Sequence, residues 1–136
     1  MADDVILAKA AIIERCIVRA REERAASADF AADYTRQDAA ILNVERACEA
    51  AIDIANRLIR LGALGAPAAT RESFAILAQN GLISDDLSTR LQRMAGFRNI
   101  AVHQYRALDF DILVRVIDER LDDLLEFSAA ALRRTA

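Results

Sequence analysis

The sequence predicts an all-α, antiparallel bundle of about five helices, in one domain covering residues 1–136. Three observations carry this reading. Hydrophobic residues make up 54% of the chain but aromatics only 5%, so Ala, Leu, Ile and Val supply most of the apolar surface. One proline and four glycines leave too few punctuation points for the turns of a sheet. The apolar residues also recur every three or four positions, which is the period of a helix face. A chain of 136 residues is long enough to bury a real core.

The first helix runs from about Asp4 to Ala26, with Ile6, Ala10, Ile13, Ile17 and Ala20 on one stripe. A polar stretch of small residues follows from Ser27 to Tyr34. Thr35 reads as the N-cap of the second helix, with Asp38 three residues on in a capping-box-like relation. That helix carries Ile41, Val44, Cys48, Ala51, Ile52, Ala55, Leu58 and Ile59 and stops at Gly62. Gly65 and Pro67 mark a loop up to Ala69. A short third helix starts with Thr70 as its N-cap and stops at Asn80-Gly81, a left-handed terminus. Ser84-Asp85-Asp86 opens the fourth, with a seam of Leu87, Leu91, Met94 and Ala101. Asp109 caps the fifth, which carries Leu113, Val116, Ile117, Leu121, Leu124, Leu125 and Leu132.

Composition excludes several classes. The wholly apolar runs fall far short of the ~20 residues a membrane span needs. The acidic start, Met1-Ala2-Asp3-Asp4, lacks the basic flank of a secretory signal, so a cytoplasmic location is expected. Cys16 and Cys48 sit in apolar stripes without metal-ligand spacing and read as free buried thiols. A di-metal carboxylate bundle would need Glu-x-x-His pairs, yet Ile100 stands three residues before the single histidine.

Chemistry concentrates in Arg98-Asn99-Ile100-Ala101-Val102-His103-Gln104-Tyr105, which holds the only histidine and one of the two tyrosines. Between Asp86 and Asp109 lie Arg90, Arg93, Arg98 and Arg106 and no acid. The chain has a net charge of −3, so this window of +4 leaves −7 for the remainder. An imidazole in an arginine island of an acidic protein points to a phosphate-bearing partner. The plain alternative is a structural histidine that only satisfies a hydrogen bond. On a regular helix Arg98 and Tyr105 share a face, about 20° apart, whereas His103 lies about 140° from Arg98. Either the helix distorts or ends near Val102, or a second chain completes the site. Cleaving RNA through its own 2′-hydroxyl needs one group to take a proton and another to protonate the leaving oxygen. A two-fold homodimer would supply a second His103 for that purpose. Arginine forks would stabilise charge on the phosphate, with no metal or cofactor required.

The Arg-x-x-x-x-His-x-Tyr pattern of Arg98, His103 and Tyr105 resembles the signature of HepT, the toxin branch of the HEPN superfamily of helical ribonucleases. Asn99 matches the polar residue that follows the arginine there. The segment Asp38 to Leu61, which opens DAAILNVERACEAAIDIANRL, is similar to the second helix of HepT proteins. The resemblance covers most of the chain. It implies a HEPN-like homodimer acting as the metal-independent endoribonuclease toxin of a type VII toxin–antitoxin system. Arg98 and His103 would be the catalytic pair, Asn99 a supporting motif residue, and Arg90, Arg93 and Arg106 contacts to RNA phosphates. The implied partners are an RNA substrate, mRNA or tRNA, and MntA, a minimal nucleotidyltransferase antitoxin that adds AMP to the motif tyrosine, here Tyr105. The rival reading is a non-catalytic subunit of a two-component nucleotidyltransferase, with the arginine island holding nucleotide or RNA. An unrelated structural bundle is the third.

Overall fold

The structure is a computed structural model that describes residues 3–103 and 109–135, with the side chains of residues 102 and 103 outside the description. Its helices are α1 (Asp4–Ala26), α2 (Tyr34–Gly62), α3 (Thr70–Gln79), α4 (Asp85–His103), α5 (Phe110–Arg115) and α6 (Leu121–Thr135). One turn of 3-10 helix, Phe30–Ala32, lies between α1 and α2, and one π turn, Val116–Arg120, joins α5 to α6.

The ends of these helices follow from local chemistry. The Asp3 carboxylate accepts from the Ile6 N–H at 3.1 Å and starts α1. At α2 the cap is Asp33, which accepts from the Arg36 N–H at 3.1 Å, and not the expected Thr35. Thr35 lies inside the helix, because a carboxylate two residues earlier already satisfies the free donors. The left-handed residue that ends α2 is Ala63 (φ 52°, ψ 47°), one place beyond Gly62. At α3 Thr70 is the first helical residue, not the cap; no side chain caps it from Ala69, and Glu72 instead accepts from the Ala68 N–H at 2.9 Å. Gly81, at φ 74°, closes α3 as expected, with the Leu82 N–H reaching back to the Leu77 carbonyl at 2.9 Å. Ser84 Oγ accepts from Leu87 at 3.0 Å and opens α4, and Asp109 accepts from Asp111 at 2.8 Å and opens α5.

Ion pairs record how the helices run. Asp3, Asp53 and Glu23 pair with Arg57, Lys9 and Arg36, so α1 and α2 run in opposite directions. Arg21 and Arg24 reach Asp122 and Asp118 respectively, so the chain after α5 runs antiparallel to α1. Arg134 donates to the Gly81 carbonyl at 2.8 Å while Arg90 meets Asp123 and Glu126, which sets α6 antiparallel to α4.

Between the helices lies one apolar core. The stripes read from the sequence are its lining: Ile6, Ile13 and Ile17 of α1, Val44, Ala51 and Ala55 of α2, Leu91 of α4, and Leu113, Ile117, Leu121 and Leu124 from the last third. Phe74 and Phe127 meet edge-to-face at 5.5 Å, which locks α3 to α6. Phe30 is buried inside the polar connection and packs on Phe110 at 5.7 Å. The fifth helix of the sequence reading is thus interrupted: the π turn inserts an extra residue and divides α5 from α6. Among the described residues no helix is long and apolar enough to cross a membrane.

Candidate active site

α4 supplies the motif. Leu87, Leu91, Met94, Phe97 and Ala101 turn into the core, and this stripe carries Arg98 to the boundary between α4 and α2. The Arg98 guanidinium is about one-fifth exposed, and its Nη2 lies 2.7 Å from Oε2 of Glu49 on α2. Its Nη1 donates to Oδ1 of Asn99 at 3.2 Å. The planar fork is therefore held at two points, which orients an arginine far better than one contact could.

α4 is α-helical from Asp85 through His103, so the register positions of Arg98 and His103 stay about 140° apart. The side chain of His103, and all of Tyr105 and Arg106, lie outside the described residues.

The two remaining arginines of the island diverge. Arg93 is exposed, with no carboxylate partner among the described residues. Arg90 is held by Asp86 at 3.0 Å, Asp123 at 2.6 Å and Glu126 at 2.9 Å, and these partners hold its proton still more firmly than usual. A phosphate at Arg90 would have to compete with three carboxylates at once, against one at Arg98, so the geometry gives Arg90 a bracing role between α4 and α6. The acid-free window of the sequence is consequently not acid-free in space. Glu49, Asp123 and Glu126 arrive from other helices and compensate two of its arginines.

Two carboxylates of α2, Glu45 and Glu49, lie near Arg98. Glu49 is half-exposed and ion-paired. Glu45, one turn earlier, has its carboxyl raised by burial, an effect the nearby Arg98 partly offsets. The Cys48 thiol between them is buried and pushed up to about 12, which makes it an inert packing group at neutral pH. Cys16 is likewise buried and free.

A further arginine was not legible in the sequence. Arg71 of α3 lays its guanidinium against Gly96 of α4, where a Cβ would collide with it. Gly96 and His103 are seven residues apart and lie about 20° from each other around α4. Arg71 is exposed, so α3 adds a cation to the helix face that carries the His103 position. The only signal for it was a glycine in mid-helix, a position that helix propensity disfavours.

Comparison with known proteins shows the family. A family model described as ribonuclease HepT-like matches residues 10–131. The chain belongs to the HepT-like ribonuclease family, a branch of helical HEPN proteins. It is 47% identical to the mRNA nuclease HepT of Shewanella oneidensis over 125 residues, 92% of this chain and 94% of that one. It superposes with a TM-score of 0.90, at 46% identity, on a structure of a tri-AMPylated S. oneidensis HEPN toxin in complex with MNT antitoxin. That match covers 94% of this chain and 96% of the other. A toxin–antitoxin structure with AMP-PNP matches at a TM-score of 0.90 and 45% identity, covering 95% of this chain and 98% of that one.

Proposed function

We propose that this chain is the endoribonuclease toxin of a two-gene toxin–antitoxin pair, with Arg98 and His103 as its catalytic pair. Membership of a ribonuclease family gives the class of reaction, and the relative that is an mRNA nuclease supports RNA as substrate. The observation that carries the site assignment is the seating of Arg98. A partly buried guanidinium, braced by Glu49 and Asn99 at the start of the Arg-x4-His segment, is pre-oriented for a phosphate.

In this mechanism the 2′-oxygen attacks the adjacent phosphorus and the bond to the 5′-oxygen breaks. One imidazole accepts the 2′-hydroxyl proton and a second donates a proton to the departing 5′-oxygen. Arg98 leaves the carboxylate of Glu49 for the phosphate oxygens as their charge grows. With one histidine per chain, and with Arg98 and His103 about 140° apart on an unbroken helix, two copies facing across a two-fold axis complete the site. Arg93 and Arg106 are the phosphate contacts outside the chemistry. The regulator is a minimal nucleotidyltransferase of the MntA kind, which modifies Tyr105 with AMP. The relatives solved with an antitoxin, one of them tri-AMPylated, support this reading.

The test is RNA cleavage by purified chain in the presence of a chelator, with melting curves matched between variants. His103→Ala is expected to lose on the order of 10²–10⁴-fold in rate. Full activity in that variant would remove the enzyme assignment.

A further inference from the structure

A cavity of about 160 Å³ opens between α4 and the π turn. Its floor is apolar: Met94, Phe97 and Val116 are buried, and Ile112, about half exposed, forms one wall. Drug-sized ligands occupy pockets of ~300 Å³ and above, so this space suits one small group. Its rim is cationic. Arg93 of α4 and Arg120 of the π turn both line it, both are exposed, and neither has a carboxylate partner among the described residues. The Arg90–Asp123 ion pair completes the lining and carries no surplus charge.

The π turn is the second observation. Val116 and Arg120 are its first and last residues, and both face the cavity. An extra residue in a helix forfeits regular hydrogen bonding, and such turns recur at functional sites because they re-aim side chains. Here the insertion sets an apolar group against the floor and a guanidinium at the rim.

We propose that this cavity is a subsite for one unstacked nucleotide of single-stranded RNA. The base lies against Phe97, Met94, Val116 and Ile112, and the flanking phosphates pair with Arg93 and Arg120. An apolar cavity rimmed by two guanidiniums without a carboxylate partner among the described residues complements a base flanked by phosphates, and Arg120 joins the RNA-contacting set from outside the motif. The subsite rests on the ribonuclease reading for the identity of its ligand, but its occupancy does not depend on cleavage.

The experiment measures binding of a short, fluorescent, fully 2′-O-methylated RNA, which lacks the attacking hydroxyl, by anisotropy across a salt series. Arg120→Gln and Arg93→Gln are each expected to flatten the slope of log K against log salt by about 0.7, the value of one phosphate contact on a single strand. Ile112→Gln alters the apolar wall at a half-exposed position that the fold tolerates. It is expected to weaken binding about threefold at every salt concentration while leaving the slope unchanged. Arg60→Gln, on the far end of α2, serves as the control and keeps wild-type binding. Wild-type slope and affinity in Arg120→Gln and Ile112→Gln would overturn the subsite. Cleavage of unmodified RNA is scored separately. Loss of binding in the variants of a chain that cannot cleave would sustain the subsite and remove the catalytic assignment.

Discussion

The contact between Arg98 and Glu49 separates the proposed catalytic group from the group that holds it. The pair is short, 2.7 Å, and charge-assisted, but Glu49 is about half exposed while Arg98 is about one-fifth exposed. Solvent screening at the carboxylate keeps its worth to folding near that of surface pairs, about 0.5–1 kcal/mol. Glu49→Gln retains an acceptor oxygen, and Asn99 still holds Nη1 at 3.2 Å. Stability is therefore expected to fall by less than about 1 kcal/mol. Arg98→Ala removes the guanidinium itself, and loss of one such transition-state donor costs on the order of 10²–10³-fold in kcat. Glu49→Gln acts only through orientation, so kcat should fall by less than tenfold. KM should decrease, because the phosphate no longer competes with a carboxylate. The assay is steady-state RNA cleavage together with urea unfolding, for both single variants and the double variant. If Glu49→Gln loses as much kcat as Arg98→Ala, Glu49 takes part in the chemistry itself and the positioning argument fails.

Further outcomes follow from the same structure. Tyr105→Phe keeps the ring but lacks the acceptor oxygen. It should remain toxic and gain no AMP, by intact mass, when incubated with the nucleotidyltransferase and ATP; equal mass gains in both proteins would place the modification elsewhere, for instance on Tyr34. Gly96→Ala should leave the melting temperature unchanged or raise it, since Ala improves helix propensity by roughly 1 kcal/mol and the obstructing atoms end a flexible arginine. RNA affinity should fall with it, and unchanged affinity would show that Arg71 has no part in binding. Acid sensitivity should trace to Glu23 and Asp3. Hydrogen bonds from Arg36 and Arg57 hold these carboxyls below their ordinary 4.5 and 3.8. Their stabilisation is complete above those values and is lost as pH falls through the lower folded ones. Glu23→Gln should thus flatten the decline of the urea midpoint below about pH 4.5, and an unchanged decline would contradict it. Glu45, raised by burial, works in the opposite sense, so Glu45→Gln should stabilise the chain at neutral pH and do nothing in acid.

Most of the fold was legible because its signals are local. The spacing of Ile6, Ala10, Ile13 and Ile17 makes a buried stripe wherever α1 packs, and Gly81 and Asp109 end or open helices through groups within a few residues of themselves. Errors arose where two local solutions compete. Asp33 and Thr35 can each cap α2, and the choice depends on the path of the buried Phe30 turn that precedes them. The π turn was invisible because Leu113, Val116, Ile117, Leu121 and Leu124 fit one helix stripe with or without an inserted residue.

The sequence by itself determined the helical class, the apolar stripes and the location of the motif, since each rests on residues a few positions apart. Only the tertiary structure decided which charges meet. Arg90, Arg93 and Arg98 belong to a single acid-free window, yet one is braced by Asp86, Asp123 and Glu126, one is left without a carboxylate partner, and one is oriented by Glu49. Apart from Asp86, a turn away on the same helix, the compensating carboxylates stand more than thirty residues away along the chain. Electrostatic compensation acts over a few ångströms of space, and which residues come that close is settled by helix packing rather than by order along the chain.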